Sequence, residues 1–284
     1  MQVMTEPADI FGDIRAHMES GRFIRNNSSN RQDIRDFAFN DVDLGNCRDV
    51  LDLGCAYGFF TRGLAGRLHP DAVINGVDLC RECEEYFIMS CEESGYSGRF
   101  CLSDKVFCER YADASFDLVL CTYALYFFPQ AVPEIARILR PAGIFITVTH
   151  TVPHMPEIIA IFKLLLTRHL GRPVTSLPLE RLFTAFSSAN GREVLSPWFV
   201  EINEKKYTNS LLISTASLPG LIRYLCFKTR LFLPGDCGLD DRFIRTVVAE
   251  YLQDLLRHRQ PFIITKNDTV YACLHPAGRR TGAE

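Results

Sequence analysis

The stretch that decides the fold is Val50-Leu51-Asp52-Leu53-Gly54-Cys55-Ala56-Tyr57-Gly58-Phe59-Phe60-Thr61, VLDLGCAYGFFT. A short apolar run stops at Gly54, as a strand buried on both faces does when it reaches a turn. Gly54 and Gly58 let the backbone approach a ligand closely. Phe59 to Leu68 reads as a helix whose N-terminal N–H groups would face that ligand. A dinucleotide-binding loop would read GxGxxG, whereas Gly54, Ala56 and Gly58 give GxAxG with no later glycine. Asp52, two residues before the first glycine, is a poor neighbour for a pyrophosphate and suits a cationic group.

The same rhythm continues downstream. Val73 to Val77 is a second apolar run, ending at Asp78, and Glu82 to Ser94 reads as a helix closed by Gly95. Phe100 to Leu102, Phe116 to Cys121 and Ile144 to Thr149 are three further strands, with a helix over Ala131 to Leu139 before the last. Short continuous apolar strands alternating with helices predict an α/β protein with a mostly parallel sheet. Ligands of such sheets bind beyond the carboxyl ends of the strands. The informative residues are therefore Gly54 to Gly58, Asp78, Asp104, Cys121 to Tyr126 and His150 onward.

On these residues the chain resembles the class I S-adenosylmethionine-dependent methyltransferases. DLGCAYG resembles the family's first motif, with Ala56 at the middle glycine. SFDLV at Ser115 to Val119 is similar to its fourth strand, and LRPAG at Leu139 to Gly143 to the turn before its fifth. The resemblance covers about Asp49 to Thr149. It implies a Rossmann-like seven-stranded sheet with helices on both faces and an antiparallel last strand, for which Thr269 to Leu274 is the candidate. It also implies S-adenosyl-L-methionine as cofactor. Asp52, Gly54, Cys55, Ala56 and Gly58 would then line the cofactor. Asp78 would hold the ribose hydroxyls beside Leu79, Asp104 the adenine amino group, and Cys121 and Tyr123 the wall after the fourth strand.

The implied reaction is an in-line methyl transfer, in which proximity and exclusion of water carry much of the work. A hydroxyl or amine acceptor calls for a base, a carboxylate does not. His150 leaves the fifth strand at the binding edge and is the candidate base, with Tyr126 the second candidate. A structural, hydrogen-bonded histidine is the plain alternative for His150. Cys121 lacks the preceding proline of cytosine-C5 enzymes and reads as a buried thiol. No aspartate occurs in Thr149 to Met155, so a metal-independent reaction is expected. A small, partly hydrophobic organic acceptor is the expectation.

Outside the core, residues 1–45 read as a helical gate and residues 151–284 as the rest of the sheet with a helical cap. Ile158 to Leu166 and Leu218 to Leu233 are strongly apolar: half-buried helix, a lid over an apolar substrate, or a surface resting on a membrane. No run reaches 18 apolar residues, so no spanning helix is expected.

Composition narrows the classes further. The chain has 284 residues, 47% hydrophobic and 23% charged, with a formal net charge of −3. That is globular material of one or two domains, and without a basic excess nucleic acid is not an expected partner. Arg22, Arg25, Arg31 and Arg35 are the one local excess, a solvated face or a grip on an acidic group. Eleven cysteines cannot all pair within one chain, and the opening MQVMTEPADIFGDIR has no apolar run. Reduced thiols and a cytoplasmic location are expected. Cys80 and Cys83 form one CxxC without a second pair to complete a zinc site. Two other classes stay open: a non-catalytic S-adenosylmethionine-binding scaffold and a nicotinamide-dependent oxidoreductase.

Overall fold

The structure, a computed structural model, describes residues 10–103, 110–258 and 260–277. The described chain packs as two units. One comprises residues 32–151, 185–207 and the C-terminal segment from 268; the other comprises the N-terminal segment to residue 31, 152–184 and 208–267.

The first unit holds a seven-stranded sheet in the order β3-β2-β1-β4-β5-β9-β6. The strands are β1 (Asp49–Leu53), β2 (Val73–Asp78), β3 (Ser97–Leu102), β4 (Phe116–Thr122), β5 (Leu139–His150), β6 (Phe199–Tyr207) and β9 (Asp268–Pro276). The first five are parallel, and β9 runs antiparallel to both β5 and β6. This is the Rossmann-like sheet with the inverted strand that the sequence predicts. The period of two along each strand divides the side chains between its faces. Val50, Leu118, Leu120, Ile144, Ile146, Val148, Val270 and Ala272 share one core cluster with Phe39, Phe60 and Leu64. By the same parity Asp52, His150 and Asp268 belong to this face. Helices α2 (Ile34–Phe39), α3 (Cys83–Glu93) and α4 (Val132–Ile138) flank the sheet.

The amino end of the sheet is closed by charge. Arg140 reaches Asp117 at 2.6 Å and Asp49 at 2.8 Å. Asp117 in turn accepts the backbone N–H groups of Arg48 and Asp49.

Three local expectations change. Phe59 to Leu68 is not an α-helix: only a 3-10 turn, Thr61–Leu64, forms there. Gly63 and Gly66 weaken helix in this segment, and Gly66 sits at φ +69°. The LRPAG segment is strand, because Leu139 pairs with Phe116 across a register shift before Ile144 meets Leu118. Leu179 to Ala189 is helical only over Pro178–Leu182.

The second unit is helical, with a small antiparallel pair, β7 (Ser210–Ile213) and β8 (Phe262–Thr265). Its helices include α1 (Ile14–Asn27), α5 (Pro156–Leu170), α6 (Leu218–Phe227) and α7 (Ala249–His258). Gly220 lets α6 close on α1: an added Cβ would meet the Phe23 ring at 2.7 Å. Ile158, Ile159, Ile161, Phe162, Leu165 and Leu166 are buried, so the first apolar segment is core of this unit. Among the described residues no helix is long and apolar enough to cross a membrane.

Candidate active site

The glycine loop is built on the end of β2. The backbone N–H groups of Gly54 and Cys55 both donate to the Val77 carbonyl, at 2.8 and 3.2 Å. The turn needs left-handed backbone at three positions: Gly54 at φ +70°, Ala56 at +45° and Gly58 at +73°. Space is as limiting as conformation. A Cβ on Gly54 would stand 2.7 Å from the Ala124 Cβ, and one on Gly58 2.5 Å from the Ser90 Cβ. Ser90 is held there by donating to the Tyr57 carbonyl at 2.7 Å. Cys55 is buried under the loop.

Asp78 closes this loop. Its Oδ2 accepts the Ala56 N–H at 2.9 Å and its Oδ1 the Cys80 N–H at 3.0 Å. Burial pushes the Asp78 carboxyl up, opposed by the N–H groups of Ala56, Cys80 and Leu79 and by the Cys83 thiol. A carboxylate offers about four acceptor sites, and these four donors address them, so Asp78 braces the loop, and a ribose diol would have to displace one of them. Leu79 is exposed beside it. The CxxC thiols are therefore neighbours of Asp78; burial raises both of them, which keeps them protonated.

Asp52 is 1% exposed. Its Oδ2 accepts from the Thr61 hydroxyl at 2.7 Å, and its Oδ1 has no partner among the described residues. Burial, aided by the charge of Asp78, pushes this carboxyl up to about 7 against the opposing Thr61 bond. A buried acceptor without a donor costs roughly 1–3 kcal/mol, and a cationic ligand group relieves that cost. The orphaned Oδ1 and a loop too tight for side chains fit an aminoacyl nucleoside such as S-adenosylmethionine.

A second group of side chains gathers where β4 and β5 end and β9 begins. His150 is 6% and Asp268 2% exposed; Nδ1 of the first lies 2.8 Å from Oδ1 of the second. Tyr123 follows β4 at φ +55°, its N–H bound to the Val148 carbonyl at 2.8 Å. Burial and Asp268, which its hydroxyl hydrogen-bonds, raise the Tyr123 phenol well above its ordinary value. Its ring centroid is 4.9 Å from that of His150. Tyr126, 5% exposed, stacks on His150 at 6.0 Å. Phe60 meets Tyr123 edge-on at 6.0 Å, and so connects the glycine loop to this cluster. Cys121 is fully buried in β4. Asp104 lies outside the described residues.

Thr61 and Asp268 were not singled out by sequence. Thr61 closes the quoted motif, so its proximity to Asp52 was within reach. Asp268 stands in a polar Lys266-Asn267-Asp268 turn, 118 residues from its partner. Only strand pairing reveals it.

Residues 51–147 match the family model described as a methyltransferase domain. The matched segment, about a third of the chain, carries the glycine loop and Asp78, and it is this segment that is similar to methyltransferase domains. The malonyl-[acyl-carrier protein] O-methyltransferase of Porphyromonas gingivalis is 32% identical over 148 residues, which are 51% of this chain and 52% of that protein. The chain thus matches about half the length of this curated relative. A protein from Bacillus halodurans described as a methyltransferase has a TM-score of 0.53 at 13% identity, over 86% of this chain and 99% of that one. Phosphoethanolamine N-methyltransferase 2 of Haemonchus contortus, solved with phosphomonomethylethanolamine and S-adenosylhomocysteine, also has a TM-score of 0.53. Its identity is 14%, over 95% of this chain and 60% of that one. At these identities the solved structures share the fold.

Proposed function

We propose that the protein transfers the methyl group of S-adenosylmethionine to an oxygen of a small, partly hydrophobic organic acceptor. The observation that carries this reading is the His150–Asp268 pair at the sheet edge that also bears the glycine loop. S-adenosylmethionine supplies an electrophilic methyl group on a sulfonium, so the protein's part is binding, alignment and proton removal. Asp52 would take the cationic amino group of the methionine moiety, and Asp78 the ribose hydroxyls. Gly54, Ala56 and Gly58 would bring the backbone against the ligand. Tyr123 and Tyr126 would wall the acceptor side and keep water out.

His150 would receive the acceptor's hydroxyl proton on Nε2 as the new carbon–oxygen bond forms. Nδ1 faces Asp268, and a carboxylate has no proton to give, so Nδ1 donates and Nε2 carries the lone pair. The name of the Porphyromonas gingivalis relative supports oxygen as the accepting atom. It also favours a second reading, a carboxylate acceptor, for which no base is needed. The Tyr123 and Tyr126 rings beside His150 support hydrophobic bulk in the acceptor. No basic excess supports a nucleic-acid substrate, and the location is proposed as cytoplasmic.

The test is transfer of isotopic methyl from S-adenosylmethionine to matched panels of aromatic or aliphatic alcohols and carboxylic acids. Labelled ether is expected from an alcohol. Labelled ester from the acids alone would replace the hydroxyl reading. Binding of NADH in place of S-adenosylhomocysteine would return the oxidoreductase class.

A further inference from the structure

We propose that Asp268 is the positioning residue of this site, one carboxylate that fixes both the ring of His150 and the hydroxyl of Tyr123. The inference rests on the methyl-transfer reading above and adds a residue to it.

The placement comes from the sheet. The antiparallel register of β5 and β9 sets His150 directly opposite Asp268, and β6 sets Tyr207 against its other side. A diagonal tie lies beside it: the hydroxyls of Thr151 and Thr269, the residues that follow His150 and Asp268, lie 2.7 Å apart. Asp268 is therefore held by strands on both sides, and its side chain has little freedom to follow a moving ring. A buried carboxylate is costly unless donors meet it. The His150 Nδ1 at 2.8 Å and the Tyr123 hydroxyl are among those that do.

Tyr123 shows what the shared carboxylate does for the cluster. A bulky residue at φ +55° is held in a sparsely populated region, a strain that persists where the surroundings over-determine it. Here the Val148 carbonyl holds its N–H, Phe60 meets its ring and Asp268 holds its hydroxyl. The ring then lies at 30° to His150, 4.9 Å away. Asp268 thus sets the tautomer and tilt of His150 and the orientation of the aromatic wall beside it. Nothing is transferred to Asp268 itself: the acceptor's proton ends on His150 Nε2, and Asp268 keeps its charge against the imidazolium that results.

The experiment is long-range nitrogen NMR of the imidazoles in labelled full-length protein, with S-adenosylhomocysteine titration and steady-state kinetics on the same samples. Wild-type His150, assigned by loss of its signals in His150→Gln, is expected in the Nδ1–H tautomer. In Asp268→Ala that tautomer is lost while S-adenosylhomocysteine affinity stays near wild type. The substitution lowers kcat about 10- to 100-fold, the range for removal of an orienting partner, with KM changed less. Asp268→Glu recovers part of kcat. Should Asp268→Ala fail to fold, Asp268→Asn keeps the shape and removes the charge. It is expected to bind S-adenosylhomocysteine normally and to turn over at least tenfold more slowly. A wild-type ring protonated on Nε2 alone overturns the assignment, as does wild-type kcat in Asp268→Asn. Absence of methyl transfer in wild type would defeat the parent reading, and the tautomer measurement would still decide the role of Asp268.

Discussion

The Asp78 carboxylate at the end of β2 accepts the backbone N–H of Ala56, 22 residues earlier, at 2.9 Å. One hydrogen bond thereby fastens the glycine loop to the strand that carries the ribose-binding candidate. It also stabilises an alanine in left-handed backbone, φ +45°, which costs roughly 1–2 kcal/mol for a residue with a Cβ.

Ala56→Gly removes that cost and keeps the N–H. It is expected to leave stability unchanged or raise it by up to about 1 kcal/mol, after the larger entropy loss of glycine, with S-adenosylhomocysteine binding intact. Gly58→Ala is expected to do the reverse, because the new Cβ meets Ser90 at 2.5 Å in a left-handed conformation. A loss of about 2 kcal/mol or more in urea unfolding, with weakened binding, checks this.

Asp52 makes stability and binding respond to pH in opposite senses. Its carboxyl sits at about 7 in the folded chain against about 3.9 unfolded. A raised acid favours the folded state below the unfolded value, and that contribution is lost as pH climbs through the folded value. Between about pH 4 and 7 the ligand-free protein should therefore lose stability, and Asp52→Asn should flatten the trend. A cationic ligand needs the ionised form, so S-adenosylhomocysteine affinity should rise through the same window by up to about tenfold per unit. Thermal melts and titrations across pH 5–8 read both.

His150→Gln distinguishes the two acceptor readings. For a hydroxyl acceptor kcat should fall about 10²- to 10⁴-fold, the usual worth of a general base, with cofactor affinity unchanged. An unaltered kcat would remove His150 from the mechanism and favour a carboxylate acceptor.

Arg140 is the control at the far end of the sheet. Its pairs with Asp49 and Asp117 are partly exposed and screened by solvent. Arg140→Ala is expected to cost about 1 kcal/mol or less, lessening with salt, and to leave S-adenosylhomocysteine binding as it is.

Much of this architecture was legible in the sequence because its central strands are buried on both faces. Val50 to Leu53 and Phe116 to Cys121 read as short apolar runs, each broken by one aspartate, and Asp52 with the residues that follow the runs makes up much of the site. What escaped is non-local or conformational. Gly63 and Gly66 turned an apparent helix into a 3-10 turn, since apolar spacing does not weigh backbone freedom. Pro141 and Gly143 signalled a turn, yet pairing with β4 drew Leu139 to Gly143 into β5. Asp268 looked like a turn residue because its meaning comes from His150 on the neighbouring strand.

The most direct measurement is calorimetric titration of S-adenosylhomocysteine into the wild-type protein and into Asp78→Ala. Micromolar binding at one site is expected in wild type, reduced at least tenfold by the substitution while the fold persists. Well-folded wild type that binds nothing, or Asp78→Ala that binds equally well, would contradict it.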